Sequence, residues 1–302
     1  MPNDANASSL APLGREEYIE QAHFFHALGE RLKANVPAQE VLLSVREEVL
    51  ATTKLPMAID FLLSELRHAG VFGTAMSRLG HYFTPFQAYI VQESENERSR
   101  FDLRIGLEVL RREAEYRSES PSRQGIFLYQ FEVLCRNRLG YDRGLEAVAR
   151  DPAFDATWQE WIRTIRRQIG MVDLADLIYV HSEHYRRRAD PATGMAKGAD
   201  RIGIEDDPVR ADVSPPQILF GEREGRIALA NRRKDPLYLF SSLHRQLGYP
   251  EVPRPDPVAA EQALLPQLAR RLEQLEMRLK LVEEEQRGGI DLSQFYRKPG
   301  QA

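Results

Sequence analysis

The chain has 302 residues, of which 42% are hydrophobic and 28% are charged, and its formal net charge is −4 at pH 7. This composition is typical of a globular protein with about two domains. The slightly acidic balance gives no domain-wide positive field for nucleic acid or an anionic membrane. The single cysteine excludes an intrachain disulfide and a cysteine-rich zinc module.

The beginning of the chain carries no recognisable targeting signal. The stretch MPNDANASSLAPLG lacks both the basic start and the continuous apolar core of a secretory signal. No window of the sequence approaches the ~18 consecutive apolar residues of a membrane span. We therefore expect a cytoplasmic protein without a membrane span, with a disordered segment over residues 1–14.

Prolines divide the first part of the chain into short predicted helices. Residues 16–34 carry apolar side chains three and four positions apart, which form one stripe of a helix. A proline inside a helix costs ~3 kcal/mol but is favourable at the first helical position. Pro37, Pro56 and Pro85 are therefore predicted helix starts.

Two further helix boundaries complete this first block. The helix that follows the first of these prolines is expected to reach about Thr52, with Leu50 facing inward. A last helix is expected from about Ser99 to Tyr116. Short helices joined by short loops predict an antiparallel helical bundle over residues 15–118.

A second block of helical pattern, residues 125–188, follows the turn-forming stretch SESPSRQG. Comparison of the two blocks places Phe25 against Phe131 and Gly70 against Gly170, with a shorter loop in the second block. The second block is either a degenerate repeat of the first or an unrelated helical block whose pattern aligns tolerably with it.

Short motifs of the first block occur in a recognisable order. They are Asn35-Val36-Pro37, Glu40-Val41-Leu42, Gly70, Phe72, Ala75-Met76-Ser77 and Phe83-Thr84-Pro85. This order resembles the F domain of type II secretion and type IV pilus platform proteins. The resemblance covers about residues 24–116 and implies a six-helix protein-binding bundle.

Two departures limit what this resemblance implies. The family has a Gly-Glu turn after its Phe-Pro helix and a further glycine beyond it, whereas this chain has Ser94-Glu95-Asn96-Glu97-Arg98. The membrane helices of the platform proteins are not found in the sequence. The resemblance therefore implies an F-domain-like bundle related to secretion or pilus machinery, and not that the chain is itself a platform.

The next part of the chain changes composition. Residues 189–216 are rich in Asp, Gly, Ala and Pro and predict a linker. The following QILFGEREGRIAL alternates apolar residues on either side of two glycines, which predicts a short β-hairpin. Because a lone hairpin is marginal in water, we expect it to dock on a helix over 236–247, within one element over 217–248.

The strongest periodic signal lies in residues 257–287, before a tail over 288–302. Six apolar residues alternate at spacings of three and four, which is a heptad seam typical of a coiled coil. These residues are Leu265, Leu268, Leu272, Leu275, Leu279 and Val282. A parallel pair would bring Arg271 and Arg278 opposite glutamates of the second helix. The helix is predicted either to form a parallel homodimer or to fold back on its own chain.

No pattern identifies a catalytic, metal or cofactor site. Two Glu-x-x-His pairs have the spacing of di-iron ligands, but their histidines project away from the apolar stripes. The pairs are Glu20 with His23 and Glu65 with His68. His181 and His184 are three residues apart, whereas the zinc peptidase motif needs four. Cys135 lies in the apolar run FLYQFEVLC and is interpreted as a small buried hydrophobic residue.

The sequence thus predicts a cytoplasmic, non-enzymatic helical adaptor that binds protein partners and needs no cofactor. The alternative is an enzyme of unassigned class, with its site between the bundle and the hairpin over 217–230. A third hypothesis, RNA binding through Arg186-Arg187-Arg188 and Arg232-Arg233-Lys234, lacks interleaved aromatics and a basic pI. We interpret these clusters as solvated surface and expect no nucleic-acid partner.

Overall fold

The computed structural model describes residues 12–96, 101–119, 121–168, 170–189 and 217–253. In these ranges the chain forms thirteen α-helices and no β-strand, which confirms the predicted mainly helical fold. The helices are α1 Arg15–Lys33, α2 Ala38–Glu48, α3 Leu55–Ala69, α4 Phe72–Arg78, α5 Pro85–Glu95, α6 Leu103–Ser118, α7 Arg123–Arg136, α8 Tyr141–Ala149, α9 Ala156–Gln168, α10 Leu174–Val180, α11 Glu183–Ala189, α12 Glu222–Asn231 and α13 Pro236–Leu247. None of these described helices combines the length and the apolar character that crossing a membrane requires.

Several predicted segments lie wholly or mostly outside the described residues. They are the N-terminal segment 1–14, the linker 189–216, the coiled-coil-like helix 257–287 and the tail 288–302. The heptad residues lie there as well: Leu265, Leu268, Leu272, Leu275, Leu279 and Val282. The parallel homodimer therefore stays a prediction.

Local signals set the helix starts of the first block. Pro37 is the N-cap of α2, Pro56 lies in the first turn of α3, and Pro85 is the first residue of α5. Before α5, the Thr84 hydroxyl accepts a hydrogen bond from the Gln87 N–H, and the Gln87 side chain accepts one from the Thr84 N–H. This capping box satisfies two N–H groups that the first turn leaves unpaired. The predicted starts are confirmed.

Two predicted boundaries in the first block are wrong. The helix α2 ends at Glu48 rather than near Thr52. Leu50 therefore lies beyond the helix and is exposed, instead of facing inward. The helix α6 begins at Leu103, later than predicted, because the Asp102 carboxylate accepts a hydrogen bond from the second N–H of the helix and caps it there.

Gly73 allows α4 to lie directly against α5. A Cβ atom at this position would lie 2.5 Å from Cγ of Gln92 and 2.8 Å from its backbone nitrogen. The Gln92 side chain donates hydrogen bonds to the Gly73 carbonyl at 3.3 Å and to the Ser77 hydroxyl at 2.7 Å. The close approach of the two helices therefore requires glycine here.

One contiguous hydrophobic cluster runs through both helical blocks and into α12 and α13. Around α7 and α9 this core is aromatic. The ring centroid of Trp161 lies 4.9 Å from that of Phe127 and 5.2 Å from that of Phe220, and Trp158 lies 5.3 Å from Phe220. The two helical blocks share this core, and the described residues up to Pro253 form one compact unit.

The ends of α1 and α7 share one backbone geometry. Asn35 and Arg138, which follow these helices, both have positive φ angles, of 58° and 53°. The next N–H groups, of Val36 and Leu139, donate to the carbonyl five residues earlier at 3.1 and 3.0 Å. Each helix is therefore closed by the same type of left-handed cap.

A second pair of turns matches in the same way. Gly70 follows α3 with φ 71°, and Gly170 follows α9 with φ 85°. These glycines are 100 residues apart, whereas the two caps above are 103 apart. The sequence comparison pairs Phe25 with Phe131, which are 106 residues apart. This offset differs from the offset of the two caps by about one helical turn. Descent of both blocks from one repeat stays a prediction.

The predicted β-hairpin over residues 217–230 is wrong. Its second half is the helix α12, and Phe220 makes an isolated bridge with Ser182 instead of a strand ladder. Gly225 was expected to close a turn, yet it lies inside the helix. A Cβ atom there would lie 2.6 Å from the Ser182 Cβ, so this glycine lets α12 pack against the chain before α11. The glycine serves close packing rather than a turn.

Candidate functional site

The hairpin of α2 and α3 exposes large apolar side chains on its outer surface. Leu43, Leu50 and Met57 are 47%, 53% and 69% exposed, whereas Leu42 and Ile59 on the inner side are fully buried. Most large apolar side chains of the described residues belong to the core. The pair of helices thus has an inner apolar side that packs and an outer one that does not.

An exposed ion pair links α2 to α3. Arg46 Nε donates to Asp60 Oδ1 at 2.6 Å. Leu43 lies about one turn before Arg46 on α2, and Met57 lies one turn before Asp60 on α3, while Leu50 lies in the loop that leads from one helix to the other. Because the helices are antiparallel, Leu50 and Met57 share one end of the hairpin. We call these five residues the α2–α3 face.

The guanidinium of this face is held in its charged form. Hydrogen bonds from Arg46 to Asp60 and Glu47 raise the pKa of the guanidinium above its ordinary value. Beside the face, a hydrogen bond from Arg31 lowers the pKa of Glu48, which also accepts from Ser44. The face therefore offers apolar contacts around a fixed pair of opposite charges.

The two Glu-x-x-His pairs do not converge. His23 is exposed and lies 3.3 Å from Glu48, while Glu20 accepts a hydrogen bond from the backbone N–H that follows α2. Glu65 pairs with Arg78 at 2.5 Å. In the described part of the chain, no three His, Cys, Asp or Glu side chains are arranged to hold a metal ion.

The other candidate side chains have separate neighbours. His181 Nδ1 lies 2.9 Å from the carbonyl of Leu177, whereas the His184 ring lies against Tyr179. Cys135 is partly buried, and desolvation raises the pKa of its thiol to about 11. The thiol is therefore protonated at neutral pH and is a poor nucleophile.

A buried ionic cluster, which the sequence analysis missed, joins the two blocks. Arg117 lies 3.0 Å from Glu113 and pairs with Asp151, and all three side chains are at most 2% exposed. Gln130 donates to Glu113 at 2.7 Å and to Asp151 at 2.9 Å. The i, i+4 spacing of Glu113 and Arg117 was visible in the sequence, but their partners on α7 and after α8 were not.

This cluster holds two carboxylates against one guanidinium. Desolvation raises the pKa of Glu113, the charge of Asp151 raises it further, and Arg117 opposes both. The cluster is closed off from solvent, so a substrate has no access to it. Its perturbed pKa is explained by a structural role, the joining of α6 to the second block, rather than by catalysis.

A second buried contact ties α13 to α7. His244 Nε2 lies 2.7 Å from a carboxylate oxygen of Glu132, whose other oxygen accepts from Arg136. The Glu132 carboxylate is almost fully enclosed. The bundle and α13 are therefore joined by polar contacts as well as by the core.

Packed aromatic rings occupy the region between the bundle and residues 217–230, where the alternative hypothesis places an enzyme site. Phe220, which lies where the hairpin was expected, contacts Phe127, Trp158 and Trp161. A groove of about 440 Å³ lies elsewhere, between α5 and the helices α8 and α9. Its arginines are paired with acids; Arg166, for example, bonds Asp142 at 2.6 Å. This groove shows no uncompensated charge that would mark a ligand.

No protein-family model, curated protein or solved structure shows a significant match to the chain. Neither the resemblance to the F domain nor a function therefore gains support from a relative. The contacts of the described residues carry the functional inference.

Proposed function

We propose that the chain is a cytoplasmic, non-enzymatic helical adaptor that binds a partner protein through the α2–α3 face. The observation that carries this proposal is the exposure of Leu43, Leu50 and Met57 around the Arg46–Asp60 ion pair. Exposed apolar groups that share one rigid surface are typical of protein-binding sites.

Burial of the apolar side chains of this face against a partner would supply only part of the free energy of binding. Burying one leucine or methionine side chain contributes roughly 1.5–3 kcal/mol. Association costs roughly 4–15 kcal/mol in lost freedom, so three such side chains do not offset it alone. Polar contacts around them must add to the affinity, and binding is expected to be reversible.

The partner that fits best is an amphipathic helix of another protein. Leu43 lies on α2, Leu50 in the loop after it and Met57 in the first turn of α3, so a helix laid along the hairpin would meet apolar groups from both of its helices. The Arg46–Asp60 pair between them would accept charged groups of both signs at the rim. An apolar stripe bordered by acidic and basic residues matches this surface.

A second set of exposed apolar residues competes with this assignment. Met171 is 77% exposed in the turn before α10, and Tyr238 is 64% exposed on α13. The α2–α3 face is preferred because its apolar residues surround an ion pair that links its two helices and because it lies inside the part that resembles the F domain. A role of the chain beside secretion or pilus machinery rests on that resemblance.

The proposal is tested by affinity purification from the native organism with quantitative mass spectrometry. The test variant carries Leu50→Ser and Met57→Ser, and the matched control carries Leu237→Ser and Tyr238→Ser on α13. Both variants change two exposed apolar residues, so each is expected to fold. We expect the test variant alone to lose partners that the unmodified chain retains. Equal partner sets for the test variant and the unmodified chain would refute the proposal.

A further inference from the structure

A groove of about 440 Å³ lies between α12 and α13. Among the described residues its charged lining consists of Arg223, Arg226 and Lys234 and includes no carboxylate. Asn231 and Ser242 are among its neutral polar groups. A groove with three cations and no acid stands out in a chain whose net charge is −4.

These cations have no acidic partner among the described residues. Arg223 donates to the carbonyl of Gln246 at 2.8 Å, and Lys234 donates to the carbonyl of Ala230 at 2.7 Å. Arg226 makes neither a hydrogen bond nor an ion pair within the described part of the chain. Among the described residues, therefore, no carboxylate neutralises these three cations.

The acids of the two helices are engaged elsewhere. Glu222 pairs with Arg187, and Glu224 accepts a hydrogen bond from the Tyr249 hydroxyl at 2.7 Å. Asp235 caps α13 by accepting from the N–H of its second residue. None of these carboxylates pairs with a groove cation.

The pKa of a neighbouring histidine is also affected by the positive charge of Arg226. Desolvation lowers the pKa of His184, and the charges of Arg188, Arg226 and Arg187 lower it further. The histidine lies at the start of α11, against which α12 packs. Positive charge therefore extends beyond the groove itself.

We propose that this groove binds a small ligand that carries an oligophosphate group. Arg223 and Arg226 line the groove from α12, whereas Lys234 lines it from the turn that follows this helix, so a ligand with several anionic groups is needed to contact all three cations. The planar guanidinium group of arginine is positively charged, and its N–H donors match the spacing of phosphate oxygens. The volume lies within the ~300–1,000 Å³ typical of small-molecule sites.

Two other anionic ligands fit the groove less well. Single-stranded nucleic acid needs aromatic side chains on which bases stack, and no aromatic residue is among those that line the groove. An acidic peptide needs apolar pockets for its side chains, whereas Ile227 and Ala230 offer only a narrow apolar floor. The groove is separate from the α2–α3 face. A negative result for ligand binding in the groove would therefore not contradict the proposed adaptor function.

The test is isothermal titration calorimetry of the full chain with sodium tripolyphosphate. The variant Arg226→Ala removes a groove cation, and Arg245→Ala removes an exposed cation of α13 that does not line the groove. We expect saturable binding of one tripolyphosphate per chain, weakened about tenfold by Arg226→Ala and little changed by Arg245→Ala. In parallel, NMR titration should show a higher pKa of His184 in the complex.

Three outcomes would overturn the proposal. One is the absence of saturable binding by a folded protein, and another is equal weakening by the two variants, which would indicate a general charge effect. The third is tighter binding of single-stranded RNA or of polyglutamate than of tripolyphosphate. Thermal melts of both variants verify that each is folded.

Discussion

Arg117 and Asp151 form an ion pair that is almost fully enclosed by protein and joins α6 to the turn after α8. The first residue belongs to the first helical block and the second to the other block. Because the pair is shielded from water, its two charges depend on each other and on Glu113 and Gln130. The relative placement of the two blocks is therefore fixed by charge as well as by the shared core.

Replacing Arg117 by methionine should strongly destabilise the protein. The change leaves two carboxylates buried without a cation, and breaking a buried ion pair in this way typically costs about 3–5 kcal/mol. Urea unfolding followed by circular dichroism measures the change. The control is Arg123→Met, which removes the exposed partner of Asp155 and should have little effect. Similar midpoints for both variants would contradict the structural role of the cluster.

Replacing Glu113 by glutamine should change how stability depends on pH. The folded-state pKa of Glu113 is raised, so its contribution is fully present below the unfolded-state pKa, about 4.3. That contribution is lost as the pH rises through the folded-state value. Glutamine cannot ionise, so the variant should gain stability relative to the unmodified chain as the pH rises. Unfolding free energies at a series of pH values measure this difference, and a constant or falling difference would count against it.

Replacing Gly73 by alanine should separate α4 from α5. The new Cβ would meet the backbone as well as the side chain of Gln92, so rotation of the side chain alone cannot relieve the contact. Overpacking of this kind costs typically ~1–3 kcal/mol. Gly80→Ala is the matched control, because the nearest atom to its Cβ would lie 3.7 Å away. If thermal unfolding gave equal midpoints for both variants, the close packing at Gly73 would not be required.

Local signals in the sequence predicted much of the helical framework. Pro85 and the residues around it contain a complete helix start, and Pro236 and Gly248 bound α13 as a proline start and a glycine end. Such signals depend only on neighbouring residues and can be read without knowledge of the fold. The predicted helix over 236–247 agrees with α13 for this reason.

Contacts distant in sequence account for the parts that were wrong or missed. Gly225 was predicted to lie in a turn. Its role in close packing depends on Ser182, which is distant in the sequence and cannot be identified from the neighbouring residues. The partner of Arg117, Asp151, likewise lies 34 residues away. The α2–α3 face could not be predicted either, since the exposure of Leu50 depends on where α2 ends. Periodicity shows which residues are apolar but not which of them the fold leaves uncovered.

The parallel homodimer through the C-terminal helix is tested separately. Changing Leu272 and Leu279 to lysine would place charges in the heptad seam and should make the chain monomeric. Sedimentation equilibrium measures the mass, and circular dichroism verifies that the helical fold is kept. The matched control carries lysine at Gln274 and Glu284, positions outside the seam, and should stay dimeric. A monomeric unmodified chain at high concentration would rule out the dimer.

The central claim is that the α2–α3 face binds a partner protein, and site-specific photo-crosslinking in the native organism tests it most directly. A photoreactive phenylalanine analogue is placed at Met57 in one strain and at Tyr238 in another. We expect the Met57 strain to yield a discrete crosslinked protein, which disappears when Leu43 and Leu50 are changed to serine. Crosslinks from Tyr238 alone, or Met57 crosslinks that persist after those changes, would contradict the claim.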